Sequence, residues 1–175
     1  AARALAAIRG WLAELLSHHA PEPVARDDGG HGGYHRHLGA GLACLEQARK
    51  HDLKELQPHL NNNIGVIFLE LGENEQALPY LNRAAVLFEE NDDEHSATYA
   101  SSNIAYIYYQ QDEVDKALDK YISIVPHHLK NERWTDLASV YTSIAMIHRD
   151  EGNIDKADEY ITMALNILEN NEGNF

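Results

Sequence analysis

Three stretches of this chain, Asn63-Ile-Gly-Val-Ile-Phe68, Asn103-Ile-Ala-Tyr-Ile-Tyr108 and Ser143-Ile-Ala-Met-Ile-His148, carry one pattern at a fixed spacing of 40 residues. Each is followed by a turn (Gly72-Glu-Asn, Asp112-Glu-Val, Gly152-Asn-Ile) and then by an alanine, Ala77, Ala117 or Ala157. Self-similarity at such a period marks a repeat fold, in which each unit is a helix pair that buries its apolar face only against its neighbours. Stacked pairs present a long concave surface, which suits binding better than catalysis.

Outward from these stretches the apolar spacing predicts three helix pairs, at about 57–71 with 74–89, 95–111 with 114–125, and 134–151 with 154–169. Gly72 and Gly152 stand where a helix stops in a left-handed residue, which glycine adopts without steric cost; Asp112 takes that place in the middle unit. Pro126 is expected to close the fourth of these helices, and Pro79 to delay or bend the start of the second. Ile64, Phe68 and Leu71 are read as facing Ala77, Leu81 and Ala84, with the small residues Gly65, Ala105 and Ala145 at the helix crossings, where a larger side chain would overpack.

The first 50 residues differ in kind. They hold seven of the eleven glycines and a net charge of +1, against −15 for the remainder. Residues 1–20 read as an amphipathic helix with Leu5, Ile8, Trp11, Leu12, Leu15 and Leu16 at helical spacing, ended by Ala20-Pro-Glu-Pro23. Residues 21–35 read as a flexible Gly/His-rich loop. A helix resumes near Arg36, and Gly41, Leu45 and Ala48 imitate the spacing of Ala77, Leu81 and Ala84, so a degenerate first repeat opens a repeat domain over 36–175.

Charge and composition exclude several functions. A net charge of −14 disfavours nucleic acid and anionic membrane surfaces, both of which need clustered Lys and Arg. No apolar run approaches the roughly 20 residues that span a bilayer. The single cysteine, Cys44, forms no internal disulfide and reads as a small buried thiol, which points to a cytoplasmic chain. The N-terminus has neither an initiator Met nor the pattern of a secretory signal, and reads as part of something longer.

Catalytic and metal chemistry are weakly represented. Asp27-Asp-Gly-Gly-His-Gly-Gly33 lacks the Gly-Lys-Ser/Thr ending and the preceding strand of a phosphate-binding loop. No nucleophile–base pair stands out, so the chain is expected to be no enzyme and to need no cofactor. His18, His19, His31, His35 and His37 cluster around the glycine-rich loop, but no Cys pair or His-Glu-x-x-His spacing accompanies them. A metal protein using that loop is the weakest reading, and no metal ligands are assigned.

The repeated residues resemble the tetratricopeptide repeat family, in its longer 40-residue variety. Gly65, Phe68, Gly72, Ala77 and Ala84 fit its pattern in one unit and Ala145, His148, Gly152, Ala157 and Ala164 in another. The unit between them keeps Ala105, Tyr108 and Ala117 but departs at Asp112 and Ile124. The resemblance implies an all-α, right-handed solenoid of antiparallel helix pairs, with three clear repeats and a degenerate one before them.

It also implies a groove lined by the first helix of each pair: Asn62, Asn63, Val66 and Leu69; then Tyr99, Asn103, Tyr106, Tyr109 and Gln110; then Ser139, Thr142, Ser143, Met146 and Arg149. Asn63 and Asn103 occupy equivalent sites, with Ser143 next. Asparagine is a poor helix former, and its amide offers one acceptor and two donors. A row of such residues either grips the main chain of an extended peptide or is satisfied by neighbouring polar groups and water. Tyr106 and Tyr109 serve interface or inter-repeat packing equally well. Lys and Arg are absent from the sites where clamps for acidic chaperone tails carry them. The expected function is a peptide- or protein-binding module, the sensor or scaffold of a larger regulatory protein. The alternative is a structural adaptor or homo-oligomer that associates through exposed solenoid ends.

Overall fold

The computed structural model describes residues 2–17 and 31–171, and the described residues are helical throughout. The helices are α1 (Ala2–Ser17), α2 (His31–Lys50), α3 (Gln57–Glu70), α4 (Asn74–Glu90), α5 (Glu94–Gln110), α6 (Val114–Lys130), α7 (Trp134–Asp150) and α8 (Ile154–Asn170), with one 3-10 turn at Lys54–Leu56. They form two compact units, Ala1–Asp93 and Glu94–Phe175. The fold is all-α and built of helix pairs, as the repeat predicts.

What reverses the chain is a recurring left-handed residue. Positive φ occurs at Asp52, Gly72, Asp92, Asp112, Glu132 and Gly152, 20 residues apart. In each turn the following N–H bonds the carbonyl of the residue five before it. The distance is 2.9 Å for Glu73 to Phe68, Glu113 to Tyr108 and Arg133 to His128, and 2.8 Å for Leu53 to Ala48 and Asn153 to His148. This closure satisfies a helix-end carbonyl that would otherwise be orphaned. The period of the backbone is therefore half the period of the side chains.

Glu132 meets this demand badly. A non-glycine residue in the left-handed region costs about 1–2 kcal/mol, and an acidic group at a helix C-terminus opposes the helix dipole. Glu132→Gly is expected to stabilise the second unit by about 0.5–1 kcal/mol, the relief being offset in part by the looser unfolded chain. Gly152→Ala should move the other way. Urea unfolding checks both, and a destabilised Glu132→Gly would show that φ of 53° is not the source of strain there.

In the first unit α1 packs on α2. The Trp11 indole N–H donates to the His37 carbonyl at 3.1 Å. A Cβ on Gly41 would lie 2.7 Å from the Trp11 ring and 3.2 Å from Ile64, so Gly41 admits α1 on one side and α3 on the other. Along α3 and α4, Ile64, Ala77, Leu81 and Ala84 are fully buried and Phe68 stacks on Tyr80 at 5.5 Å. In the second unit Ala105, Ala117, Tyr121, Ile124, Leu137, Val140, Ile144 and Ala164 form one core.

Two boundaries differ from those expected. The helix read as resuming at Arg36 begins at His31, with Gly32 and Gly33 inside it; glycine weakens a helix by about 1 kcal/mol but does not forbid one. The remainder of the proposed loop lies outside the described residues. Likewise Pro126 does not end α6, which runs on to Lys130. Its missing N–H removes one bond, yet the next turn is held from outside: His128 is buried, its carbonyl caps the turn, and His127 Nδ1 lies 3.0 Å from Glu94 on α5. Packing outweighs the proline.

Candidate functional site

Helical spacing aligns His95, Thr98, Tyr99, Ser102, Asn103 and Tyr106 along one stripe of α5, at steps of three and four residues. Asp136, Ser139, Val140 and Ser143 make the matching stripe on α7. Together they wall a cleft of about 340 Å³, and buried Tyr121 and His128 from α6 contribute to its lining.

The hydroxyls along both walls donate back to their own helices. Thr98 bonds the His95 carbonyl at 2.7 Å and Ser102 the Thr98 carbonyl at 3.1 Å. Ser139 and Ser143 do the same on α7, at 3.0 and 3.1 Å. These hydroxyls keep lone pairs to offer. In contrast, Asn103 Nδ2 and His128 Nδ1 are buried with no hydrogen-bond partner. A buried polar group without a partner costs about 1–3 kcal/mol.

Charge is confined to one end. Asp136 is the carboxylate of the lining, and Arg133 neutralises it, Nε to Oδ2 at 2.6 Å, while reaching His95 Nε2 at 3.1 Å. Burial pulls the His128 pKa below its ordinary 6.5; Asp136 opposes the shift, while His127, Arg133 and His95 add to it. Burial pushes the Tyr121 hydroxyl up, against a weaker pull from its hydrogen bond with Ser143. The cleft is therefore mainly polar and aromatic, and the carboxylate in its lining is paired with Arg133. Tyr99, 54% exposed, and Tyr106, 40% exposed, offer open ring surface beside Asn103.

Of the groove residues expected from sequence, Tyr99, Asn103, Tyr106, Ser139 and Ser143 meet in this cleft. Met146 lies one turn past Ser143 and is exposed. The Tyr109 hydroxyl donates to Asp150 on α7, which holds that hydroxyl above its ordinary pKa, and Arg149 pairs with the same carboxylate at 2.7 Å. Thr142 bonds the Ala138 carbonyl. Asn62, Asn63, Val66 and Leu69 belong to the first unit, where Asn62 is buried and its Nδ2 lies 3.4 Å from Asn63 Oδ1. Sequence reasoning missed His95, Thr98, Ser102, Asp136 and Val140, which the same stripe would have found had it been extended toward the helix starts. It also missed Tyr121 and His128, because the groove was assigned to first helices alone.

Among the described residues no group of three or more His, Cys, Asp or Glu is placed to hold a metal ion, and His18 and His19 lie outside them. No helix among them is long and apolar enough to cross a membrane.

Residues 58–90 and 138–171 match the tetratricopeptide repeat model. No curated protein sequence matches the chain. Among solved structures it is similar to BtubC (BKLC) from P. vanneervenii, with a TM-score of 0.74 at 20% identity, over 81% of this chain and 59% of that one. It is similar also to the apo form of RapI, at 0.72 and 14% over 82% and 40%. A Rap protein complexed with Competence and Sporulation Factor gives 0.69 and 15%, over 81% and 40%. The chain thus spans between 40% and 59% of the length of these structures, and at such identities the likeness is one of fold. The chain thus carries tetratricopeptide repeats at α3–α4 and over most of α7–α8, and α5–α6 shares their turns and register in the same all-helical repeat fold.

Proposed function

We propose that this chain binds a peptide or protein segment, as the sensor or scaffold part of a larger regulatory protein, and that the α5–α7 cleft receives an extended stretch of it. The observation that carries the reading is the unpartnered Asn103 Nδ2 in a cleft flanked by exposed Tyr99 and Tyr106. An amide donor left unsatisfied in the free protein is satisfied by a ligand's carbonyl. From His95 to Tyr106 α5 rises roughly 16 Å, enough for about five extended residues. Ser143, Met146, Tyr109 and Arg149 border the same walls, and Asn62, Asn63 and Val66 hold the corresponding register on α3. Support also comes from the similar Rap protein, which is complexed with a factor.

A pool of acetylated, amidated heptapeptides passed over the immobilised chain tests this. Retained peptides should bind Asn103→Ala about 5- to 150-fold more weakly, the equivalent of leaving a polar partner unsatisfied. Its helical circular dichroism should be undiminished. Asn63→Ala asks separately whether α3 takes part. Retained peptides that bind Asn103→Ala as tightly as the parent would sink the role of Asn103. The competing reading, a self-association module, draws on the exposed Ile154, Ile161, Leu165 and Leu168 of α8. It expects no peptide retention and a chain that sediments as multiples.

A further inference from the structure

His128 is a polar residue at a position its own repeat makes apolar. The equivalent residues 40 positions away are Phe88 and Leu168. It is only 3% exposed, it lines the cleft, and its Nδ1 has no partner. A buried imidazole with an unused nitrogen weakens a core that phenylalanine or leucine would strengthen. The second orphan in the same cleft is Asn103 Nδ2, a donor. A neutral imidazole protonated at Nε2 supplies the complementary acceptor.

We infer that the cleft recognises the main-chain amides of an uncharged extended segment, Asn103 Nδ2 donating to a backbone carbonyl and neutral His128 accepting a backbone N–H through Nδ1. This rests on the peptide-binding reading above and adds to it the chemistry read and a condition for release. Around His128 stand His95 and Glu94 from α5, His127 on its own helix, Arg133 in the following turn and Asp136 on α7. Glu94 is engaged by His127 at 3.0 Å and Lys130 at 3.8 Å, and Asp136 by Arg133. Each carboxylate near the imidazole therefore already has a cation beside it. Protonation at Nδ1 would turn the acceptor into a donor facing a ligand N–H. Binding is then complete at neutral pH, where His128 is neutral. It falls as the pH drops below 6.5 and through the lowered pKa.

The test uses the whole chain and the capped heptapeptides retained at about pH 7.5, and needs no natural ligand. A ¹⁵N-edited imidazole spectrum of the free protein should show His128 as the Nε2–H tautomer. Retained peptides should bind more weakly at pH 5.5 than at pH 7.5, by less than the roughly tenfold that an imidazole at its ordinary 6.5 would give, with helical circular dichroism intact, and their backbone N-methylated versions should bind weakly at both pH values. His128→Leu, which takes the residue found at position 168, should bind weakly at both pH values while staying folded. His128→Asn keeps an uncharged acceptor at the place of Nδ1 and should recover part of the affinity without the pH dependence. His95→Gln should retain the parent's loss on acidification. An Nδ1–H tautomer, full binding by His128→Leu, or an acid loss that persists in His128→Asn would each overturn the role of His128 and leave peptide binding standing. Failure of any capped peptide to be retained at pH 7.5 would overturn both.

Discussion

Gly65→Leu is expected to destabilise the first unit by about 3 kcal/mol, the upper end of the range for overpacking. A Cβ at Gly65 would stand 2.6 Å from Leu81 Cγ and 3.2 Å from the Leu81 backbone nitrogen. Leu81 is fully buried, so its side chain has nowhere to retreat, and backbone cannot retreat without moving α4. The α3–α4 crossing must therefore widen, which loosens Ile64, Ala77 and Ala84 together. Gly65→Ala should do the same to a smaller extent, and Ala105→Leu, at the matching crossing of α5 and α6, should cost about 1–3 kcal/mol. Thermal unfolding followed by circular dichroism reads each effect. An unchanged midpoint in Gly65→Leu would place the crossing elsewhere.

Ile144→Ala is expected to cost about 2–5 kcal/mol, the usual toll of deleting a large buried aliphatic side chain. Ile144 has no exposure and packs among Leu137, Val140, Ile147, Ile124 and Ala164. The control lies two residues along the same helix. Met146 is 40% exposed, so Met146→Ala should stay within about 0.5 kcal/mol of the parent. Both variants place alanine at mid-helix, so what separates them is chiefly burial. Denaturant unfolding provides the measurement, and equal losses would mean that the inward face of α7 has been misassigned. Because Val140 belongs both to the core beside Ile144 and to the cleft lining, Ile144→Ala should also weaken peptide retention.

The site was legible in the sequence along its walls. Asn103, Tyr99, Tyr106, Ser139 and Ser143 lie on first helices, where a stripe at helical spacing predicts a shared face. The lining contributed by α6 was not legible. His127-His128 after Pro126 reads as a linker turn, since proline ordinarily stops a helix and paired histidines have no periodic signature. Only the packing of α6 against α5 and α7 carries the helix through and turns His128 inward. Tyr109 shows the reverse case. Its spacing puts it beside the groove, but whether its hydroxyl is free depends on Asp150, 41 residues away.

The 40-residue repeat by itself determined the class of fold, the helix pairs, the small residues at the crossings and the left-handed turns at Gly72, Asp112 and Gly152. These are local matters of spacing and backbone sterics, and each leaves its mark on nearby residues. The intervening turns at Asp52 and Asp92 lie outside the 40-residue pattern, although Asp, as at Asp112, visits the left-handed region more readily than most residues. The turn at Glu132 was decided by tertiary structure: no propensity asks Glu to take a positive φ, and there the packing of α6 on α7 imposes the reversal. Tertiary structure likewise paired α1 with α2 through Trp11 and Gly41 and brought Asn103 and His128 into one cleft. A side chain's partners depend on distances in space that no single stretch of chain encodes.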